Sequence, residues 1–395
     1  MASGQSSSKA EPGRGLVSAE GRPRVLAIAF ACDPERGSES AGGWGTVNAL
    51  AEFADVTVLH HPRHTDNIEA WRRRSPASQA HLRYVAVDTV PWGLWAQRIK
   101  PLARLSWRAR YLGWLQEARK VALALHAEEP FDVAVHASLG IYWLPSTVVD
   151  LPMPSVWGPV SGAAPSPRSL WRCATLRVTE SSNVYRRFPE ELRRRTLIAN
   201  RAVLSHIPDV PTVPRQPYLL FTSPLEQRKA PSLALRALAR TPSDVRLLFI
   251  HRGPEEDRLK ALARKLGVSE RVEFRGRVPR EEMWARIAET AGCVFTGLRE
   301  EGGCALAEAM MVGAPVAVVD HGGAGLVAGA SSDPGRVHAI SPTTREETLE
   351  RLAQAMTAMS RNPSSATGGY LDQEPTKRVL REAVETAMAA RLKAS

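Results

Sequence analysis

The strongest constraint on this chain is an alternation, run through twice, of short β-branched apolar segments with helical stretches. Arg24 to Cys32 (RVLAIAFAC) is a continuous apolar run of the kind carried by a strand buried on both faces. A glycine-rich turn follows, then a helix near Thr46–Phe53. Further strands are expected from Asp55 (DVTVLHH), Leu82 (LRYVAVD), Asp132 (DVAVHAS) and Ser155 (SVWGPV). The second half repeats the logic. Tyr218–Ser223 reads as a strand, Pro231–Arg240 as a helix with proline in its first turn, and Val245–His251 as a strand. A helix ending at Gly267 comes next, then VEFRG, REEMWARIAET, GCVFTG, CALAEAMMVG and PVAVVD in order. Such alternation builds βαβ units on a parallel sheet, so the expected class is α/β. Ligands of open parallel sheets bind at the carboxyl ends of the strands, and two such domains enclose a crevice.

Length supports the division, since 395 residues suit two domains of roughly 150–200 residues better than one core. With 44% hydrophobic and 24% charged residues, the chain is globular in composition. Residues 1–22 read as a disordered leader without the apolar stretch of a signal peptide. Residues 23–207 are expected to form a first Rossmann-like domain, and the proline-dense 208–217 (PDVPTVPRQP) a linker. Residues 218–372 would form a second Rossmann-like domain, and 373–395 a closing helix able to pack back on the first. No apolar run approaches the roughly 20 residues of a membrane span, which makes a cytoplasmic location the expectation.

Cys32, Cys173, Cys293 and Cys304 lack C-x-x-C spacing, which argues against a zinc site and a disulfide framework. No metal or other cofactor is expected. A net charge of +11 favours anionic company: phosphorylated substrates, anionic lipid or nucleic acid. No basic-aromatic RNA motif supports the last, and no nucleic-acid partner is expected.

Chemistry concentrates in Leu298–Asp320 (LREEGGCALAEAMMVGAPVAVVD). Glu300, Glu301, Gly302 and Gly303 sit in a loop just before a helix that opens at Cys304, and carboxylates suit helix N-termini. Glu308 lies within the helix among Ala305, Leu306, Ala307 and Ala309. A carboxylate in such a stretch is costly without partners, unless it rides the helix's wet face; vicinal ribose hydroxyls would supply donors. The glycines allow backbone N–H groups to approach a ligand. A second segment, LFTSPLEQRKAPSLALRAL, sets Arg228 and Lys229 before the helix opened by Pro231. Cations there are unfavourable unless solvated or answered by an anion such as a diphosphate. A third, ACDPERGSESAGGWGTVNAL, puts Gly42 and Gly43 after the first strand, for a phosphate or sugar to approach, or for a tight loop alone.

These segments resemble the family 4 glycosyltransferases. Glu300–Glu308 matches the E-x7-E signature in the variant whose loop reads E-E-G-G. Gly37, Ser38, Glu39, Gly43 and Trp44 match the A-C-E-P-x-x-G-S-E-P-G-x-G-W turn of one branch, with Ser40 and Ala41 replacing Pro-Gly. Val156–Gly162 (VWGPVSG) is similar to a G-P-V-G-G segment of that branch. The likeness spans about three quarters of the chain, Arg24 to Val327. It implies a GT-B fold, with parallel sheets facing across a cleft, and a metal-independent transfer of sugar, with retention, from a nucleotide-sugar donor to an acceptor. The glycan, lipid-linked or natural-product nature of that acceptor stays open. By the same resemblance Glu300 lies by the donor sugar, and the amides of Gly302 and Gly303 contact sugar and phosphate. Glu308 holds the ribose, and Lys229 the diphosphate. His136, at the end of a strand, contacts the donor sugar or is a satisfied core residue.

Two departures stand out. Ser223–Pro224 replaces the Gly-Arg of the usual G-R-x-x-x-x-K pattern, and His251–Pro254 (HRGP) replaces G-D-G-P. The missing arginine leaves Arg228 or Arg252 to compensate. It also keeps alive a reading as a non-catalytic partner or activator of another enzyme. Finally, Trp92 to Lys120 holds four tryptophans and seven Lys/Arg with Glu117 as its only acid. Trp107, Tyr111 and Trp114 share one helical face, with Arg104 and Arg108 beside it. That stripe reads as an anionic-membrane surface, an acceptor surface, or packing on the sheet.

Overall fold

The computed structural model describes residues 21–89, 103–141, 146–161, 176–179, 190, 194, 196–198, 200–204, 207, 210–300 and 302–392. Two parallel sheets organise them. The first contains β1 (Arg24–Ile28), β2 (Asp55–His60), β3 (Leu82–Ala86), β4 (Val133–His136), β5 (Gly140–Ile141), β6 (Ser155–Ser161), β7 (Leu176–Thr179) and β8 (Thr196–Ile198). Its order is β3-β2-β1-β4-β6-β7-β8, with β5 beside β6. Strand β1 shows why its sequence is apolar throughout. Val25 and Ala27 face one core cluster while Leu26 and Ile28 face the other, all four fully buried. Helix α1 (Glu39–Ala51) and α2 (Thr65–Arg74) follow the first two strands, and the long α3 (Ala103–Glu128) precedes β4.

The second sheet contains β9 (Gln216–Phe221), β10 (Arg246–Phe249), β11 (Val272–Phe274), β12 (Thr290–Phe295), β13 (Val316–Val319) and β14 (Val337–Ile340), in the order β11-β10-β9-β12-β13-β14. Helices α4 (Pro231–Leu238), α5 (Glu256–Lys265), α6 (Arg280–Glu289), α7 (Cys304–Val312), α8 (Gly323–Gly329) and α9 (Arg345–Arg361) connect and cover these strands. The strand order reverses between β1 and β4 in one sheet and between β9 and β12 in the other, and such switch points open crevices at the strand ends. The last helix, α10 (Glu374–Leu392), joins the first domain's core through Leu380, Ala383, Val384 and Ala387.

Three sequence expectations change. The glycine-rich turn is shorter than its composition suggests, because α1 begins at Glu39 instead of near Thr46 and takes in Gly42 and Gly43. The Gly42 amide is spent on Ser38 O at 3.0 Å. A β-carbon on Gly43 would fall 2.0 Å from Ala31 O, and one on Gly45 1.7 Å from Leu204 O. These glycines seat a helix against neighbouring backbone; they do not open a ligand loop. The proposed linker ends early, since Gln216 and Pro217 already belong to β9.

Of the three readings of the aromatic stripe, Tyr111 and Trp114 follow the packing one. Tyr111 and Trp114 are buried in the core beneath the sheet, around Phe30, and Trp114 Nε1 donates to Val87 O at 2.7 Å. A half-polar aromatic with its N–H satisfied inside is core, so these two residues form no membrane or acceptor surface. The side chains of Trp107, Arg104 and Arg108 lie outside the described residues, as do Trp92, Trp95 and residues 1–20 of the expected 1–22 leader, whose Arg22 is held by Ala51 O and Asp55. No helix among the described residues is long and apolar enough to cross a membrane. Cys32 and Cys293 are buried free thiols and Cys304 is half-buried, while Cys173 lies outside the described residues.

Candidate active site

The second sheet's switch point gathers the charged residues. After β9 the chain runs through Thr222 and Ser223 to a short turn at Gln227–Lys229, then enters α4. Thr296 Oγ1, just beyond β12, donates to Lys229 O at 3.0 Å and Ala230 O at 2.9 Å. The Leu298 and Arg299 amides donate to Arg228 O at 3.2 and 3.3 Å. Fastened this way to the neighbouring strand's exit, the turn points Lys229, which is buried, at the Glu300 carboxylate, and the two form a part-buried ion pair. Glu300 Oε1 also accepts the Gly303 amide at 3.1 Å, and Glu300 O accepts the Gly323 amide at 2.8 Å. Gly303 caps α7 at φ +72, a conformation that suits glycine, whereas a β-carbon on Gly302 would meet only Cys304 Sγ at 3.6 Å. The two loop glycines therefore differ: the Gly303 amide is committed to Glu300. Burial first, then the charge of Arg228, push the Lys229 ammonium down to about 8.

One turn into α7, Glu308 is 5% exposed and pairs with Arg280 Nη2 at 2.7 Å. Burial pushes its carboxyl above the ordinary range, and Arg280 holds it back. Arg280 opens α6 and lies over the Trp284 ring at 4.7 Å. Among the described residues its Nε and Nη1 have no partner, and neither has the buried Thr222 Oγ1. Lys229, Glu300, Glu308, Arg280 and Thr222 all line one crevice of about 380 Å³. Gly37 and Ser38 of the first domain form its opposite wall, and a β-carbon on Gly37 would lie 3.4 Å from Glu308 Oε1. Buried donors without acceptors are expensive, so a crevice lined with them is built for a polar occupant.

Backbone strain marks the same edges. Ser38, Leu139 and Ala230 are the non-glycine residues at positive φ among those described, and they follow β1, β4 and β9, the strands at the two switch points. Strain of this kind is stored where surrounding structure fixes it, characteristically at functional sites.

The other sequence candidates separate. Arg228 and Cys304 line the crevice, with Arg228 half-exposed and paired with Glu226 at 2.6 Å. Arg252 lies against Gly276 instead. Pro224 lines the crevice too, so the position of the missing arginine does face the site. Gly42 and Gly43 stay inside α1. His136 is 2% exposed, with Nδ1 on Ser146 Oγ and Nε2 on Ser138 O at 2.7 Å. Tyr111 Oη lies 3.2 Å from the same Nε2. Both ring nitrogens are engaged within the first domain's core, which makes His136 a satisfied core histidine and leaves it no nitrogen for a donor sugar. Sequence reasoning missed Arg280 and Arg277, which also lines the crevice. The signal existed for Arg280: like Arg228 and Lys229, it is a cation at a helix start, where charge of that sign needs an anion.

Residues 206–358 match the family described as glycosyl transferases group 1. D-inositol 3-phosphate glycosyltransferases of Mycobacterium sp. strains KMS and JLS are each 37% identical over 117 residues, 28% of this chain. That stretch spans only 26% of each relative's length. Among solved structures, the apo lipopolysaccharide outer core galactosyltransferase WaaB superposes with a TM-score of 0.55 at 15% identity, covering 92% of this chain and 99% of that one. Anabaena HepE in complex with UDP gives 0.55 at 14% identity, covering 92% and 100%. At those identities the likeness shows the fold, two facing α/β domains of GT-B type. Residues 206–358 thus resemble a glycosyltransferase group 1 domain, and the chain as a whole has a GT-B fold.

Proposed function

We propose that the chain is a glycosyltransferase that moves a sugar, with retention, from a nucleotide-sugar to an acceptor held by the first domain. The observation that carries this reading is Glu308: a carboxylate 5% exposed, inside a polar crevice at the switch point of a parallel sheet. In the proposed complex the ribose diol donates to both Glu308 oxygens. Lys229, anchored at the crevice wall, meets the diphosphate. As the glycosidic bond breaks, charge gathers on the departing diphosphate, and a preorganised ammonium in a dry crevice stabilises it. Glu300, held by Lys229 and the Gly303 amide, offers a fixed acceptor for hydroxyls of the donor sugar. Closure of the Gly37 wall excludes the water that would otherwise hydrolyse the donor. Side chains and backbone fill these roles, with no metal in the account. The UDP bound by HepE makes UDP the first nucleotide to try.

Calorimetric titration with a panel of nucleoside diphosphates tests the reading. Binding by the native chain and its loss in Glu308→Ala are expected; unchanged affinity in the variant removes Glu308 from the site. A second reading, a non-catalytic partner of another enzyme, is favoured by one observation: Pro224 lines the crevice where the resemblance implies a diphosphate-binding arginine. Donor hydrolysis by the native chain or by Pro224→Arg supports the enzyme, while absence of both turnover and nucleotide binding supports the partner.

A further inference from the structure

The Pro224 departure removes a guanidinium from the crevice, yet the crevice contains another. Arg280 reaches in from α6, a different element and 56 residues later in the chain. Its Nη2 is spent on Glu308, while Nε and Nη1 are buried without partners among the described residues. A guanidinium carries five N–H donors in a fixed fork suited to phosphate oxygens, and burying two nitrogens unpaired is costly. Within the second domain the guanidinium stacks on the Trp284 ring, and among the described residues these two nitrogens have no hydrogen-bond acceptor. What covers Nη1 is Gly37 of the first domain, whose β-carbon position is 3.4 Å away and which carries no acceptor side chain. The same glycine covers Glu308 Oε1 at the same distance, so parting the two domains uncovers both members of the pair.

A ribose diol binding across Glu308 competes with Arg280 for Oε1, the oxygen that holds the arginine. An arginine displaced from Oε1 needs another anion, and the donor's own diphosphate supplies one. The geometry points to Arg280 as the second diphosphate-binding cation of this chain: it neutralises Glu308 in the empty crevice and transfers to a donor phosphate when the ribose takes its place. This rests on the sugar-transfer reading above. It deepens that reading by assigning the role that Pro224 left vacant to a residue outside the usual motif. The fork explains the two unpaired nitrogens, which become the donors to the phosphate. In either state the buried carboxylate keeps hydrogen-bond donors, Arg280 in the empty crevice and the ribose hydroxyls in the occupied one.

The test compares nucleoside diphosphate with nucleoside. UDP, GDP and ADP are titrated into the native chain by calorimetry, and the tightest is paired with its own nucleoside. In Arg280→Gln the diphosphate is expected to lose at least about tenfold in affinity, the scale of one charge-assisted contact, while the nucleoside binds as in the native chain or tighter. Arg280→Lys, which keeps the charge but not the fork, should recover part of the loss and guards against a folding defect in the glutamine variant. Equal losses for diphosphate and nucleoside overturn the inference, because Arg280 would then only hold Glu308 in position. Undiminished diphosphate affinity in both variants also overturns it. A native chain that binds none of the three diphosphates sinks the sugar-transfer reading and this inference together, a pattern distinct from either of those.

Discussion

Gly37 in the first domain packs against Glu308 in the second: a β-carbon on the glycine would stand 3.4 Å from Oε1 of the carboxylate. That distance is ordinary van der Waals contact, so a methyl group fits and anything longer does not. Gly37→Ala should therefore be near neutral. Gly37→Phe should lower sugar transfer by about 100-fold, because the domains can no longer close to reacting geometry. Melting temperature and transfer rate, measured on both variants, check this; full activity in the phenylalanine variant would mean that closure here is dispensable.

Gly45 makes the opposite case. Its β-carbon position falls 1.7 Å from Leu204 O, a backbone atom that cannot swing aside. Gly45→Ala should destabilise by roughly 1–3 kcal/mol or more through overpacking of α1. A melting temperature equal to the native chain's would show that the helix can slide to make room.

Nucleotide binding should depend on pH through Lys229. Burial holds its ammonium down to about 8, and a bound diphosphate, being anionic, must raise that value. Affinity is then full below pH 8 and declines as pH rises past it, with a proton taken up on binding near pH 8. Calorimetry in buffers of different ionisation enthalpy reads that proton. The stability sign is reversed: between about 8 and the ordinary lysine value the unfolded chain binds more protons, so Lys229 makes the fold more stable as pH rises.

His136→Phe should cost stability and leave nucleotide binding alone. The change takes the imidazole away from Ser146 Oγ and Ser138 O, at about 1–3 kcal/mol for a buried group left unpaired, while Tyr111 keeps its bond to Leu139 O. A lowered melting temperature with diphosphate affinity within about twofold of native is the expected pair of results. An altered preference among nucleotide-sugars would instead put His136 at the donor.

Much of the second domain was legible in advance. The apolar runs that became β9, β10, β12 and β13 stood out because a strand covered on both faces needs nothing but apolar residues. Glu308 stood out because a carboxylate among alanines and leucine contradicts its surroundings. Pattern misled where one composition serves two structures. Glycines at 43 and 45 look the same in a phosphate loop and in a helix pressed on backbone, and only the positions of Ala31 O and Leu204 O tell them apart. The Trp–Tyr stripe looks the same facing lipid or facing Phe30.

By itself, the sequence determined two parallel α/β units and the loop-and-helix segment carrying Glu300 and Glu308, because burial and periodicity act on neighbours along the chain. Tertiary structure alone decided that Arg280, 28 residues before Glu308, becomes its counter-ion, and that Gly37, from the other domain, closes over both. Ion pairs and crevice walls depend on which strand ends meet in space, and no local pattern encodes that meeting.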